Sequence, residues 1–142
     1  MIELFDIKTW RYERKFAVSK LSQQEIELIV RFHPAMFSEI HHPRWVNNIY
    51  LDSFGMRNYR DSVEGLRNRI KIRIRWYGRF FRSVKEPMLE FKFKKGFLGA
   101  KKLFPLSSFL INQQIGVGGI NGLIRNSDLP DSIKEYVSSL NP

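Results

Sequence analysis

Apolar and charged positions alternate most strictly from Arg67 to Tyr77. Arg69, Lys71, Arg73, Arg75 and Tyr77 fall on one side of an extended chain, and Ile70, Ile72, Ile74 and Trp76 on the other. A period of two marks a half-buried β-strand, and Gly78 breaks it. Met88 to Lys94 repeats the pattern, with Glu90, Lys92 and Lys94 opposite Leu89, Phe91 and Phe93. Val46 to Ser53 is rich in β-formers and runs into a Phe54-Gly55 turn. Trp10 to Val18 also reads as a strand, with Arg11, Glu13 and Lys15 on one face, although only this charged face alternates cleanly.

Helical spacing appears elsewhere. Ser22 and Glu25 stand at capping-box distance, Leu21 and Ile26 can form a staple, and Ile26, Ile29 and Val30 make an apolar stripe that Pro34 ends. Met56 to Val63 is read as a loop or short helical turn, and helices are expected near Leu106 to Ile115 and from Asp131 to Leu140. Gly116 to Gly122 resembles a phosphate loop at a glance but lacks the Lys-Ser/Thr of a P-loop and has no strand before it, so a loop between helices is expected. The expected fold class is α+β, an antiparallel sheet with flanking helices in a single domain, 1–142.

Composition supports that reading. A chain of 142 residues with 43% hydrophobic content can bury one real core. The lack of cysteine excludes disulfides, thiolate zinc sites and cysteine nucleophiles, and is compatible with a reducing compartment. Met1 to Arg14 lacks the apolar run of a signal peptide or membrane span, so a cytoplasmic location is expected.

Charge changes the picture further. The net charge is +10, and the stretch from Arg67 to Lys102 carries thirteen Lys and Arg against Glu86 and Glu90. Neighbours on one strand face lie about 6.6 Å apart, so Arg69, Lys71, Arg73 and Arg75 form a row roughly 20 Å long. Such a row repels itself unless an anion compensates it. Three readings remain open: a site for a phosphate chain, a nucleic-acid surface, or a solvated charged face. The nucleic-acid reading wants stacking aromatics beside the cations, yet only Tyr77 shares their face in this strand, so nucleic acid is disfavoured. Charged faces on three strands point to a curved sheet closing around a polar lumen.

Tyr12-Glu13-Arg14-Lys15-Phe16, Asn48-Ile49-Tyr50-Leu51-Asp52, Ile72-Arg73-Ile74-Arg75-Trp76-Tyr77-Gly78 and Leu89-Glu90-Phe91-Lys92, in this order, resemble the vacuolar transporter chaperone (VTC) domain, a branch of the CYTH-like triphosphate tunnel metalloenzymes. The resemblance implies a sheet forming part of a triphosphate-tunnel-like barrel, and ATP-dependent polyphosphate synthesis or triphosphate hydrolysis with Mn²⁺ or Mg²⁺. It also implies that Lys15, Arg73, Arg75 and Lys92 bind phosphate. Arg11, Arg69, Lys71 and Lys94 share those faces and complete the expected phosphate-binding set. Arginine suits this role as a permanent bidentate charge, lysine as a movable one, and phosphoryl transfer asks mainly for positioning and charge.

Glu13 and Glu90 are candidate metal ligands, and equally candidate salt-bridge partners that space the cations. Asp52 is open between a metal and an arginine. His33, His41 and His42 have no second ligand at metal spacing and are read as structural. After Lys102 no basic strand is apparent, so the resemblance further implies that the C-terminal tunnel strands are lacking. A homo-oligomer or a second chain would then complete the tunnel, and a non-catalytic polyphosphate binder stands as the alternative to an enzyme.

Overall fold

The computed structural model describes residues 5, 7, 9–80, 83–111 and 117–142. The chain divides into two compact units, one of residues 1–13 with 45–142 and one of residues 14–44. In the first unit the strands are β1 (Arg11–Tyr12), β2 (Val46–Leu51), β3 (Asn68–Tyr77), β4 (Ser83–Val84), β5 (Met88–Lys95), β6 (Leu98–Pro105) and β7 (Phe109–Leu110). The second unit holds helix α1 (Gln23–Arg31), and the first holds α2 (Arg57–Val63), α3 (Val117–Arg125) and α4 (Asp131–Ser138). The fold is α+β, with a five-stranded antiparallel sheet in the order β1-β6-β5-β3-β2 and a small β4-β7 pair.

The alternation in β3 sorts its two faces as expected. Ile70, Ile72, Ile74 and Trp76 are buried, while Arg69, Lys71, Arg73 and Arg75 are half-buried on the other side. Beneath the apolar face, Leu89, Phe91 and Phe93 of β5 join Ile120 and Ile124 of α3 and Ile133 and Val137 of α4 in one core. Phe5 seals it, its ring 4.7 Å from Phe91 and 5.1 Å from Phe93. One face is therefore committed to the core by hydrophobic burial, which leaves the charged face as the surface on which chemistry can occur.

Strand β6 was not anticipated from the pattern. It follows β5 through a two-residue loop, Gly96-Phe97, with Gly96 at φ 58°. Glycine at the first position of such a loop matches a type II′ hairpin, whose twist suits the flanking strands. The helix expected over Leu106 to Ile115 is corrected: Leu106 is buried and donates its N–H to Pro87 O at 2.8 Å, and Phe109–Leu110 pairs with Ser83–Val84. Phe109 also packs edge-on against Trp76, which fixes this stretch as strand. Residues 112–116, the end of that expected helix, lie outside the described residues.

The glycine-rich loop is also corrected. Gly118, Gly119 and Gly122 sit within α3, although Gly116 lies outside the described residues. Each glycine costs a helix about 1 kcal/mol relative to alanine. Ile120 and Ile124, one turn apart and buried on the same face, more than offset that cost by burial.

The second unit contains the predicted capping box. Ser22 Oγ accepts from the Glu25 N–H at 3.3 Å, and Glu25 Oε2 accepts from the Ser22 N–H at 2.7 Å. The helix runs to Arg31, three residues before Pro34. None of its residues is buried.

Candidate functional site: a cationic sheet face

The registers bring the cations together. Arg73 lies opposite Glu90, Lys71 opposite Lys92 and Arg69 opposite Lys94 across β3 and β5, and Lys101 of β6 lies opposite Lys92. Arg11 of β1 pairs with Gly99 on the far side of β6. Paired residues of antiparallel strands share a face. Eight cations therefore stand on one side of the sheet: Arg11, Arg69, Lys71, Arg73, Arg75, Lys92, Lys94 and Lys101. Two carboxylates, Glu13 and Glu90, stand among them.

Each carboxylate clamps two cations. Glu90 is only 3% exposed, with Oε1 2.6 Å from Arg73 Nη2 and Oε2 3.4 Å from Arg75 Nη1. Strand β2 holds the same arginines from the other side: Arg73 Nη1 donates to Tyr50 OH at 3.2 Å, and Arg75 Nε donates to Asn48 Oδ1 at 3.0 Å. The two guanidiniums are thus fixed before any ligand arrives, which lowers the ordering cost of binding. Glu13 Oε1 lies 3.4 Å from Lys92 Nζ and Oε2 3.2 Å from Lys94 Nζ. The Lys94 hydrogen bond, with the Lys92 charge, outweighs burial and holds the Glu13 carboxyl below its usual 4.5.

Between these clamps lies a cavity of about 450 Å³, lined by Arg11, Glu13, Arg73, Arg75, Glu90, Lys92 and Lys101 among others. Arg11, Lys71 and Lys101 make no ion pair among the described residues. Net positive charge is therefore concentrated in a concave, partly desolvated space, where an anion is attracted most strongly. Gly99 closes the approach of β6 to Glu13: a Cβ there would stand 3.1 Å from Glu13 Oε2.

A family model described as the VTC domain matches residues 10–141. The chain belongs to the VTC domain family. No curated protein and no solved structure matches it. Family membership suggests a polyphosphate-related function for this VTC domain, and the cationic face is the part of its fold suited to that ligand class.

Other expected site residues are placed differently. The first strand pairs only Arg11 and Tyr12, plus a 2.9 Å bond from Glu13 N to Phe97 O, so it is shorter than the Trp10 to Val18 strand anticipated. Lys15 lies past its end, exposed, in the second unit. Asp52 makes no ion pair with an arginine among the described residues. Its carboxylate accepts from the N–H groups of Ser53, Asn58 and Tyr59 at 2.7, 3.0 and 2.8 Å, capping α2, whose own N-cap residue Met56 has a left-handed backbone.

The side chains as they stand do not fit a protein-held divalent ion. Every oxygen of Glu13 and Glu90 is engaged by Lys or Arg, and no group of three or more His, Asp or Glu forms a metal cluster among the described residues. Sequence reasoning missed Lys101, because β6 was missed, and missed that Asn48 brackets Arg75. The Gly96 turn after a strand of alternating charge was the signal for both the hairpin and Lys101. No helix among the described residues is long and apolar enough to cross a membrane.

Proposed function

We propose that the VTC domain binds a linear phosphate chain, inorganic polyphosphate or the triphosphate of ATP, along the cationic face. The observation that carries this reading is the excess of eight cations over two carboxylates on one sheet face, five of them (Arg11, Arg73, Arg75, Lys92 and Lys101) around one cavity, with Arg73 and Arg75 braced from both sides. Arg73, Arg75 and Lys92 would take the central phosphates, with Arg11 and Lys101 across the cavity. Arg69, Lys71 and Lys94 extend the row along the strands. In this reading the face is one wall of a triphosphate tunnel. A cysteine-free chain suits a reducing, cytoplasmic setting for such a ligand.

Binding requires no resident metal, because the cations alone supply the charge. Turnover, whether polymerase or triphosphatase, is the finer proposal. For it this face contributes alignment and stabilisation of charge on the transferring phosphoryl group. Trp76, the large aromatic of β3 that a nucleic-acid surface would use for stacking, is 1% exposed and packed in the core.

Calorimetric titration with tripolyphosphate tests the reading. Binding is expected to weaken steeply between about 0.05 and 0.5 M salt, because screening shortens the reach of these charges. Lys92→Ala and Lys101→Ala are each expected to lower affinity several-fold with an unchanged circular dichroism spectrum. Absence of binding at low salt refutes the proposal. Repeating the titration with ATP, with and without Mn²⁺, and assaying released phosphate and polymer separates a binder from an enzyme.

A further inference from the structure

The two carboxylates of the cationic face are held in unlike ways. Glu90 is buried, 2.6 Å from Arg73, and its arginines are braced by Tyr50 and Asn48 of β2. Glu13 keeps 30% of its side chain in water, and its contacts are longer, 3.4 Å to Lys92 and 3.2 Å to Lys94. Those lysines are themselves 39% and 18% exposed. A lysine is a movable point charge, and ion pairs open to solvent are weak. Glu90 is therefore a fixture of the site, whereas Glu13 is exchangeable.

The chain goes to some length to place an exchangeable carboxylate here. Glu13 follows β1 directly, its N–H donating to Phe97 O at 2.9 Å, and Lys94 Nζ donates to its carbonyl oxygen at 3.5 Å. Strand β6 lies between β1 and β5, so the Glu13 side chain reaches the lysines across β6. Gly99 leaves the room: a Cβ at that position would stand 3.1 Å from Glu13 Oε2. The carboxylate thereby lines the same cavity as Arg73, Arg75 and Lys92.

This placement matters for a ligand in proportion to its length. Lys92 stands two residues beyond Glu90 on β5, about 6.6 Å along the strand from the point where Arg73 lies opposite Glu90. A single phosphate on the two guanidiniums leaves the lysines, and Glu13, as they are. A phosphate chain laid along β5 from the same guanidiniums brings an oxyanion to the lysines that Glu13 already holds, and two anions there repel each other.

We infer that Glu13 is a resident competitor for the lysine end of the cationic face. In the empty protein its carboxylate occupies Lys92 and Lys94; a chain long enough to span from Arg73 and Arg75 to the lysines displaces it, and it returns as the chain leaves. Glu13 is thus a specificity-determining residue, because the cost of displacing it falls only on ligands that reach the lysines. It moderates the gain in affinity with chain length and speeds release. The inference deepens the phosphate-binding reading and rests on it, and it gives Glu13 a role other than metal ligand, in keeping with both of its oxygens facing ammonium groups.

The experiment titrates tripolyphosphate into the intact chain, its Glu13→Gln variant and its Glu13→Asp variant at low salt without metal, with orthophosphate measured by competition against tripolyphosphate and dissociation followed by stopped flow. Glu13→Gln is expected to tighten tripolyphosphate about fivefold, the scale of one solvated ion pair, to slow its dissociation by a similar factor, and to leave orthophosphate unchanged. Glu13→Asp keeps the charge but draws it back from the lysines, and is expected to show part of the same gain. Unchanged or weaker tripolyphosphate binding in Glu13→Gln overturns the competitor. So does an equal gain for orthophosphate, or a gain in Glu13→Gln with none in Glu13→Asp, since either assigns the effect to net charge. In all of these the phosphate reading stands; absence of tripolyphosphate binding in the parent and both variants overturns that reading and the competitor with it.

Discussion

Replacing Glu90 by glutamine tests whether the cationic face is held together by its buried carboxylate. The two guanidiniums around Glu90 have side chains 12% and 25% exposed, so water compensates them only partly. In Glu90→Gln the amide nitrogen presents donors to an arginine that already has only donors, and two like charges face each other across a partly buried gap. Removing one partner of a fully buried ion pair costs about 3–5 kcal/mol. Because Arg75 keeps a quarter of its side chain in water, solvent screening reduces this to about 2–3 kcal/mol. For a chain of this size that is a fall in melting temperature of roughly 10 °C. An anion on the same guanidiniums replaces the missing charge, so saturating tripolyphosphate is expected to raise the melting temperature of Glu90→Gln more than that of the parent. Thermal melts followed by circular dichroism at low salt, with and without tripolyphosphate, measure both effects. A variant melting within about 2 °C of the parent would refute the argument, as would equal shifts with the anion.

Three further outcomes are expected. The folded-state pKa of Glu13 is depressed, so its contribution is fully present above the unfolded value near 4.5 and is lost as pH falls through the folded value; acid titration should therefore show a stability loss below about pH 4.5 that Glu13→Gln removes, and parallel curves would count against the Lys92-Glu13-Lys94 clamp. Ser22→Ala deletes one half of the capping box of α1 at a cost of about 1 kcal/mol, expected as faster amide exchange confined to residues 23–31 with little change in the main melting transition; unchanged exchange there would show that the cap contributes nothing. Gly99→Ala puts a methyl group 3.1 Å from Glu13 Oε2 and should displace that carboxylate from the lysines, changing tripolyphosphate affinity without loss of the fold, whereas an unaltered affinity would show that Glu13 yields without disturbing them.

How far the sequence could be read depended on the range of each interaction. The two faces of β3 follow from a period of two and one-sided burial, both local properties, and Ile70, Ile72, Ile74 and Trp76 went where alternation sends them. The capping box of α1 was equally local. Helix α3 was hidden because three glycines argue against a helix, while the burial that overrides them depends on elements far away in the chain. Strand β7 escaped for the same reason: Phe109 is strand because Trp76 and Val84 are its neighbours.

The site carried the same division. That Arg73, Arg75, Lys92 and Lys94 share a face with Glu90 was legible, but which cation each carboxylate holds depends on register, and register is a tertiary fact. It placed Arg73 opposite Glu90, and the clamp then formed across two strands. It also placed Lys101 opposite Lys92, whose carboxylate partner Glu13 is shared with Lys94. Like charges directly across a strand pair are unfavourable, so the Lys92–Lys101 rung, beside Arg11 and with one carboxylate, Glu13, divided between Lys92 and Lys94, is where the unliganded sheet stands to gain most from an anion. Affinity for phosphate should therefore be more sensitive to Lys92 and Lys101 than to the exposed Lys95 at the end of the same strand, and a Lys95→Ala variant that weakened tripolyphosphate as much as Lys101→Ala would show that diffuse charge, and not this rung, draws the ligand.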